Sequence, residues 1–216
     1  ADIVLHQSSH DLPTADWWQR VQKNLQEDQE LVIDPAFFTA LMQHLPQIRR
    51  VQIQLKRGRD RNELTRFRYD VILHIETEVV PPIESQDLDW QQDQLTLASI
   101  RQLLIETKPE ILTIKNVPNA RIWKQVKLLE LVARDEKPAT VGGLLQGLEE
   151  IGIEPEDFWS LGDELPYTID ISWSDAGANG CYDVMFGRSG LISHQIPPVL
   201  QEASQLKPWS QYANNP

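Results

Sequence analysis

One polar stretch of the chain concentrates side chains that can do chemistry. The segment Arg57–Asp70 reads RGRDRNELTRFRYD and combines an amide, carboxylates, guanidinium groups and a phenol. A carboxylate can accept the proton of an amine while a neighbouring amide orients it, so Asn62, Glu63 and Tyr69 are candidates for catalysis on an amine. The opposing interpretation is a solvated loop tip with weak surface ion pairs, and periodicity alone favours that interpretation.

Other familiar signatures of catalysis and cofactor binding are missing from the sequence. It contains no G-x-S-x-G serine motif, no G-x-G-x-x-G turn and no P-loop. His6 and His10 have the i, i+4 spacing of a metal pair, but the segment around them is typical of a loop, so we expect no metal site there. Cys181 is the only cysteine, which excludes a disulfide framework and a cysteine-built zinc site.

The composition is that of a soluble globular protein. The 216 residues are 41% hydrophobic and 24% charged, enough for one domain or two small ones. Acidic residues outnumber basic ones 32 to 20, for a net charge of -12, which argues against a nucleic-acid partner. No apolar run approaches the roughly 20 residues of a membrane span, and no signal peptide is recognisable. We therefore expect a cytoplasmic protein with neither nucleic acid nor membrane as its partner.

The elements that must position the polar stretch are predicted on both sides of it. Thr14 is predicted to cap a first helix with Trp18, Val21 and Leu25 on its apolar face. Asp34 followed by Pro35 is typical of a second helix start. The buried stripe predicted for this second helix comprises Phe38, Leu41, Met42 and Leu45.

Two strands are predicted next, with the polar stretch between them. Val51, Ile53 and Leu55 alternate with polar residues, which is the pattern of a half-buried strand. The alternation resumes from Phe67 to Ile75. Adjacent strands with a connection this short are expected to pair antiparallel.

The remainder of the chain is predicted to mix helices and strands. Residues 77–95 are rich in proline and acid and are predicted to be a loop or linker. Helices are predicted after Thr96, Asn119, Thr140 and Pro155, with a short strand at Ile111–Val117. A second hairpin is predicted to pair Tyr167–Trp173 with Tyr182–Phe186. The tail from residue 189 onward is predicted to be a connector.

Several segments of the chain resemble one family. These are ELVIDPAFF, HLPQIRRVQIQLKRG, NELTRFRYDVILHI, PNARI, and ELPYTIDISW with GCYDVMF. They resemble the C-terminal half of the N-methyltransferase domains that are inserted into adenylation domains of nonribosomal peptide synthetases, particularly cyanobacterial ones. The tail KPWSQYANNP resembles the seam where such a chain returns to the adenylation domain.

The resemblance implies an α/β fold in three parts. Residues 1–76 would form the C-terminal portion of a class I methyltransferase sheet, a helix plus an antiparallel strand pair. Residues 77–188 would form an α+β subdomain on the substrate side. Residues 189–216 would lead toward an adenylation domain.

The resemblance also implies a reaction and its participants. The intact domain would use S-adenosylmethionine to methylate the amine of an aminoacyl thioester, held on the phosphopantetheine arm of a peptidyl carrier protein. Glu63 would draw the ammonium proton or steady the amine, Asn62 would orient it, and Tyr69 would line the pocket. Arg66 and Arg68 would bind the substrate.

The family's N-terminal half, which carries the glycine-rich donor site, has no counterpart in this sequence. We therefore expect no S-adenosylmethionine binding by this chain alone, and an exposed sheet edge unless the later residues or a partner chain cover it. The sequence is either a fragment or works with another polypeptide that supplies the missing half. Two alternatives stay open: a noncatalytic interaction or spacer module of a megasynthase, and an independent acidic binding protein.

Overall fold

The computed structural model describes residues 8–27, 29–75, 85–134, 137–146, 148–149, 151–173, 180–188 and 207–214. The six strands in these residues are β1 Ile48–Leu55, β2 Tyr69–Ile75, β3 Gln86–Asp89, β4 Ile111–Pro118, β5 Tyr167–Trp173 and β6 Cys181–Arg188. The helices are α1 Thr14–Glu27, α2 Ala36–His44, α3 Glu63–Phe67, α4 Leu97–Glu106, α5 Trp123–Ala133, α6 Val141–Gln146 and α7 Pro155–Glu164. None of the helices in these residues is long and apolar enough to cross a membrane.

All six strands belong to one sheet with the order β2-β1-β5-β6-β4-β3. The pairs β1–β2, β5–β6 and β4–β6 are antiparallel, which confirms the two predicted strand pairs, and only β3–β4 is parallel. Strands β1 and β5 meet at a single register pair, Gln54 with Ser172. The side chains of Gln52 and Gln54 also donate hydrogen bonds to Asp170 of β5. The two predicted hairpins are therefore parts of one sheet that has both antiparallel and parallel strand pairs.

The main core lies over the part of the sheet formed by the strands β4, β5 and β6. Ile114, Val184 and Phe186 from these strands are fully buried. Phe158 of α7 packs edge-on against Phe186 and Tyr182 with ring centroids 6.1 Å from each. A smaller apolar cluster joins α1 to α5 and α6 and contains Trp17, Val21, Leu128, Val132, Val141 and Leu144.

The predicted helix after Asp34 is confirmed, but its apolar face is only partly covered. The backbone N–H of Ala36 donates to Asp34 Oδ1 at 2.9 Å, which is the capping interaction that the sequence predicts. Ala40 is buried, whereas Phe38, Leu41 and Met42 are only half-buried. Leu45 is 38% exposed and follows the last helical residue, so the prediction of a buried stripe is wrong in degree.

Three further predictions need correction. Gln86–Asp89 forms a short strand inside the predicted loop 77–95, because it pairs with β4. Local sequence does not reveal this pairing, so the strand was not predicted. Phe67 ends helix α3, so β2 begins at Tyr69. In α1 the buried aromatic ring is Trp17, while Leu25 is exposed. Residues 174–179, which join the two strands of the second predicted hairpin in sequence, lie outside the described residues.

The chain's last described segment returns to α2. The backbone N–H of Asp34 donates to Tyr212 O at 2.7 Å, and Tyr212 is buried beside Phe37, with ring centroids 6.1 Å apart. Trp209 packs on the same phenylalanine at 5.5 Å. Residues 207–214 therefore pack against the helix that precedes β1.

Candidate functional site

The polar stretch between β1 and β2 contains a short helix, α3, because Asn62 and Thr65 cap it reciprocally. Thr65 N donates to Asn62 Oδ1 at 3.1 Å, and Asn62 N donates to Thr65 Oγ1 at 3.3 Å, which together make a capping box. Thr65 is buried. The side-chain oxygen of Asn62, which was predicted to orient a substrate, therefore caps the helix that carries Glu63.

Glu63 lies on the exposed side of α3 in an ion pair. Its Oε1 accepts a hydrogen bond from Arg68 Nη2 at 2.8 Å, and the side chain of Glu63 is 66% exposed. Arg68 also donates to Glu30. The hydrogen bonds that Arg68 donates to Glu30 and then to Glu63 raise the pKa of Arg68 above its ordinary value. The structure thus brings two of the predicted site residues, Glu63 and Arg68, into direct contact at the surface.

Tyr69 and Arg66 face other parts of the molecule. The Tyr69 hydroxyl donates to Ile33 O at 2.5 Å, and its ring lies 6.3 Å from the ring of Phe38. Burial, followed by the nearby charge of Asp34, raises the pKa of Tyr69, which keeps the phenol protonated at neutral pH. Arg66 Nε donates to Arg121 O at 3.1 Å.

Arg121, which was not among the candidate residues predicted from the sequence, holds this stretch in place. Its guanidinium group donates to the carbonyls of Lys56, Gly58 and Thr65 at 2.6, 2.7 and 3.2 Å. Its Nε donates to Glu154 Oε1 at 2.5 Å. An arginine between alanine and isoleucine in PNARI was the available signal, because a charge in an apolar setting needs buried partners.

A second buried charge, Glu156, holds the beginning of the same loop. Its carboxylate accepts hydrogen bonds from Arg57 Nε at 2.9 Å, Arg57 Nη2 at 3.1 Å and Gly58 N at 2.5 Å. Burial raises the pKa of Glu156, but these hydrogen bonds and the charges of Arg57 and Arg121 outweigh burial and hold that pKa below its ordinary value. Gly58 has φ of +117°, a conformation that favours glycine at this turn.

Three basic residues in and beside the polar stretch, Lys56, Arg57 and Arg59, are paired with acids in the folded chain. Arg57 pairs with Glu156, and Arg59 Nη1 donates to Asp157 Oδ1 at 2.8 Å. Lys56 pairs with Asp70. These residues therefore contribute to a surface of mixed charge rather than to a purely basic one.

The described residues contain one parallel strand pair, the setting in which a glycine-rich phosphate-binding turn is found in doubly wound sheets. The one parallel strand pair, β3–β4, is followed on β3 by the turn Trp90–Leu95, in which Gln94 takes a positive φ of 51°. That turn holds no glycine. The part of the chain that the structure describes contains no group of three or more metal-ligating side chains.

Fold and site together define a mixed α/β module whose polar, capped helix α3 lies between the two strands at one edge of the sheet. Comparison with known proteins gives this module a context. It is 34% identical over 196 residues to chondramide synthase of Chondromyces crocatus, and 36% identical over 210 residues to a nonribosomal peptide synthetase of Penicillium thymicola. Cyclosporin synthetase of Tolypocladium inflatum is 24% identical over 205 residues.

These matches cover most of this chain and little of the relatives. They include 88%, 92% and 87% of the chain, respectively, but only 5%, 7% and 1% of the three synthetases. No family model matches the chain. Its homologues are nonribosomal peptide synthetases, and the similarity concerns one small segment of each.

Proposed function

We propose that this chain is the C-terminal, substrate-side part of an N-methyltransferase domain in a nonribosomal peptide synthetase. The intact domain would methylate the amine of a carrier-bound aminoacyl thioester with S-adenosylmethionine. The observation that carries the proposal is the edge strand β2, which pairs only with β1 within the described residues and lies next to the polar helix α3, in a chain whose homologues are peptide synthetases. The chain alone is expected to be inactive.

Strand β2 is one of the two edge strands of the sheet in the described residues. Within the described residues it pairs only with β1, so backbone N–H and C=O groups along its other side lack strand partners. Leu73 and Ile75 are 38% and 57% exposed. Native edges are normally covered or made polar, because open apolar edges cause aggregation. A further strand from the donor-binding half would cover this edge, and that half would supply the methyl-donor chemistry.

This chain would contribute the groups that receive and orient the amine. Glu63, an exposed anion, would accept a proton from the ammonium group or hold the amine by its charge. Asn62 would act with it by fixing the start of α3. Tyr69 would line the pocket as a neutral phenol, and Arg68 would position Glu63 as well as bind substrate. Arg66 would serve the substrate site from the side that contacts Arg121.

The proposed division of the chain follows from the same assignment. Residues 1–76 would complete the methyltransferase core, and residues 77–188 would form the substrate-side subdomain. Residues 189–216 would connect to an adenylation domain. The packing of Tyr212 on Phe37 supports a C-terminal segment that contacts the proposed methyltransferase core before it continues toward the adenylation domain.

The first test is the Glu63→Gln substitution in the synthetase that contains this segment, assayed for methyl transfer to the loaded aminoacyl thioester. We expect kcat to fall by about 100-fold, within the range for a general base. Glu164→Gln is the matched control, because Glu164 is also an exposed glutamate in one arginine ion pair, with Arg101 at 3.2 Å. Undiminished turnover of the Glu63 variant would remove the assigned role.

A second test asks where the donor binds. Calorimetric titration of S-adenosylmethionine into the purified 216-residue chain is expected to give no binding heat. One-to-one binding would contradict the assignment of the donor site to another part of the synthetase.

One observation favours a second candidate, a noncatalytic spacer module. Asn62, Glu63 and Tyr69 all have structural partners: Thr65, Arg68 and Ile33. If the parent polypeptide lacks a glycine-rich donor loop upstream and shows no methyl transfer, these contacts describe a structural insert rather than an active site.

Docking of a carrier protein is a further part of the proposal that charge reversal can test. Arg57→Glu with Arg59→Glu should lower the affinity for the carrier if this surface receives it. Because both arginines are paired with acids of α7, the expected loss is small. Unchanged affinity would place the carrier elsewhere.

A further inference from the structure

The loop from Lys56 to Thr65 is held from beneath by a single buried guanidinium group. Arg121 is 2% exposed, and its donors reach the loop at three points: Lys56 O, Gly58 O and Thr65 O. The first two carbonyls lie where the chain leaves β1. The third belongs to α3, so one side chain joins both ends of the loop.

The guanidinium group is itself fixed in orientation. Its Nε donates to Glu154, and the backbone N–H of Arg121 donates to Asn119 Oδ1 at 3.0 Å. Arginine presents its donors in a rigid planar fork, so it can hold several carbonyls at set positions in a way that lysine cannot. Arg121, Glu154 and Asn119 all lie outside the α2–β1–β2 unit. The loop geometry is therefore set by a different part of the chain.

The position of Glu63 depends on this contact. Thr65, whose carbonyl accepts from Arg121, is also the partner of Asn62 in the capping box that starts α3. A displacement of Thr65 would therefore move the cap and the first helical residue, Glu63, together. Displacements of about 1 Å at a reacting group reduce turnover by about 100-fold.

We propose that Arg121 is a positioning residue for the candidate amine site, acting through the Lys56–Thr65 loop on Asn62 and Glu63. Its side chain does not touch the substrate. The effect on turnover rests on the proposed function, whereas the effect on the loop does not, so the two can be measured separately.

The loop effect is measured by hydrogen exchange on the 216-residue chain. In Arg121→Ala the amides of the loop and of α3 should exchange at least about tenfold faster, while those of β6 keep their protection. Arg101→Ala, which removes an exposed arginine from its pair with Glu164, should leave the loop unchanged. Unchanged loop exchange in Arg121→Ala overturns the proposal. If that variant does not fold, Glu154→Gln, which weakens the hold on the guanidinium group, gives the same readout.

The turnover effect is measured in the parent synthetase. Arg121→Ala should lower kcat for methyl transfer by about 100-fold, with KM for S-adenosylmethionine within about twofold, and millimolar guanidinium should restore part of kcat. Equal changes in kcat and KM without rescue, or wild-type kcat, would overturn the positioning role. If the wild-type synthetase methylates nothing, the proposed function fails, and the exchange experiment alone decides whether Arg121 sets the loop.

Discussion

The apolar side chains at the two ends of the sheet are buried to different degrees. Around β4, β5 and β6, Ile114, Val184 and Phe158 are completely buried. Around α2, β1 and β2, Phe38 is only half-buried and Ile75 is 57% exposed. The sequence is comparably apolar in both regions, so the difference lies in cover rather than in composition.

The comparison teaches that the two regions have different requirements. The β4–β6 side closes its core with helices α4 and α7 from this chain. Within the described residues, the β2 side has exposed apolar side chains and an edge with no further strand partner, which single folded domains rarely leave uncovered. We interpret that side as the place where the proposed domain continues.

The largest expected effect separates the two regions by stability. Phe158→Ala should lower the free energy of unfolding by about 3–5 kcal/mol, because it empties a fully enclosed aromatic site. Phe38→Ala, on the half-covered helix α2, should cost roughly 1 kcal/mol. Urea denaturation of both variants measures the difference, and equal losses would mean that the β2 side is as well packed as the core.

The next prediction concerns the junction between the regions. Glu156→Gln weakens the charged contacts to Arg57 and Gly58 and should cost about 1.5–3 kcal/mol at neutral pH. Glu164→Gln, in an exposed pair, should change stability by less than about 0.5 kcal/mol. A Glu156 effect no larger than this control would show that the loop is not held through α7.

The same residue predicts a pH dependence. Because the pKa of Glu156 is lower in the folded chain than its ordinary value of 4.5, the stability it contributes is present above that pH. This contribution is lost as the pH falls below about 4.5 toward the folded pKa. Unfolding free energies measured from pH 7 to pH 3 should fall more steeply for the wild type than for Glu156→Gln, and parallel curves would contradict the assignment.

A smaller effect on stability, with a larger one on association, is expected at the open edge. Ile75→Lys should change the unfolding free energy by about 0.5 kcal/mol or less, because Ile75 is already exposed. It should also reduce self-association of the isolated chain, measured by sedimentation velocity. Leu129→Lys, on an exposed position of α5 that is 45% accessible, is the control and should leave association unchanged. Equal self-association of the two variants would mean that the isolated chain does not associate through the β2 edge.

The smallest perturbation is chemical labelling of Cys181 at the start of β6. Burial, and then the Asp183 carboxylate, raise the pKa of this thiol to about 11, against a smaller opposing effect of Lys127. Alkylation by iodoacetamide at pH 8 should therefore be roughly 100-fold slower in the folded chain than in the unfolded chain. Rapid labelling would show that this end of the closed region opens easily.

Prediction from sequence succeeded where the structure depends on local pattern. Alternation identified β1, β5 and β6, and capping residues located α2 and α4, because these signals act within one or two turns of chain. It failed for the four-residue strand β3, whose pairing partner is about 25 residues away. It also chose Trp18 instead of Trp17 as the buried aromatic residue, because a single helix does not reveal which side its neighbours will cover.

The positions of the candidate site residues relative to the strands were predictable from the sequence, and their contacts were not. The sequence by itself determined that Asn62 and Glu63 lie between two antiparallel strands and that Tyr69 belongs to the second of them, since strand periodicity and short connections are local properties. Only the tertiary structure decided that Arg121 and Glu156 hold this segment, and that β2 pairs only with β1 within the described residues. The contacts of Arg121 and Glu156 join residues 55 to 99 positions apart. A buried charge pairs with groups that lie close to it in the folded chain, and no local sequence pattern encodes that proximity.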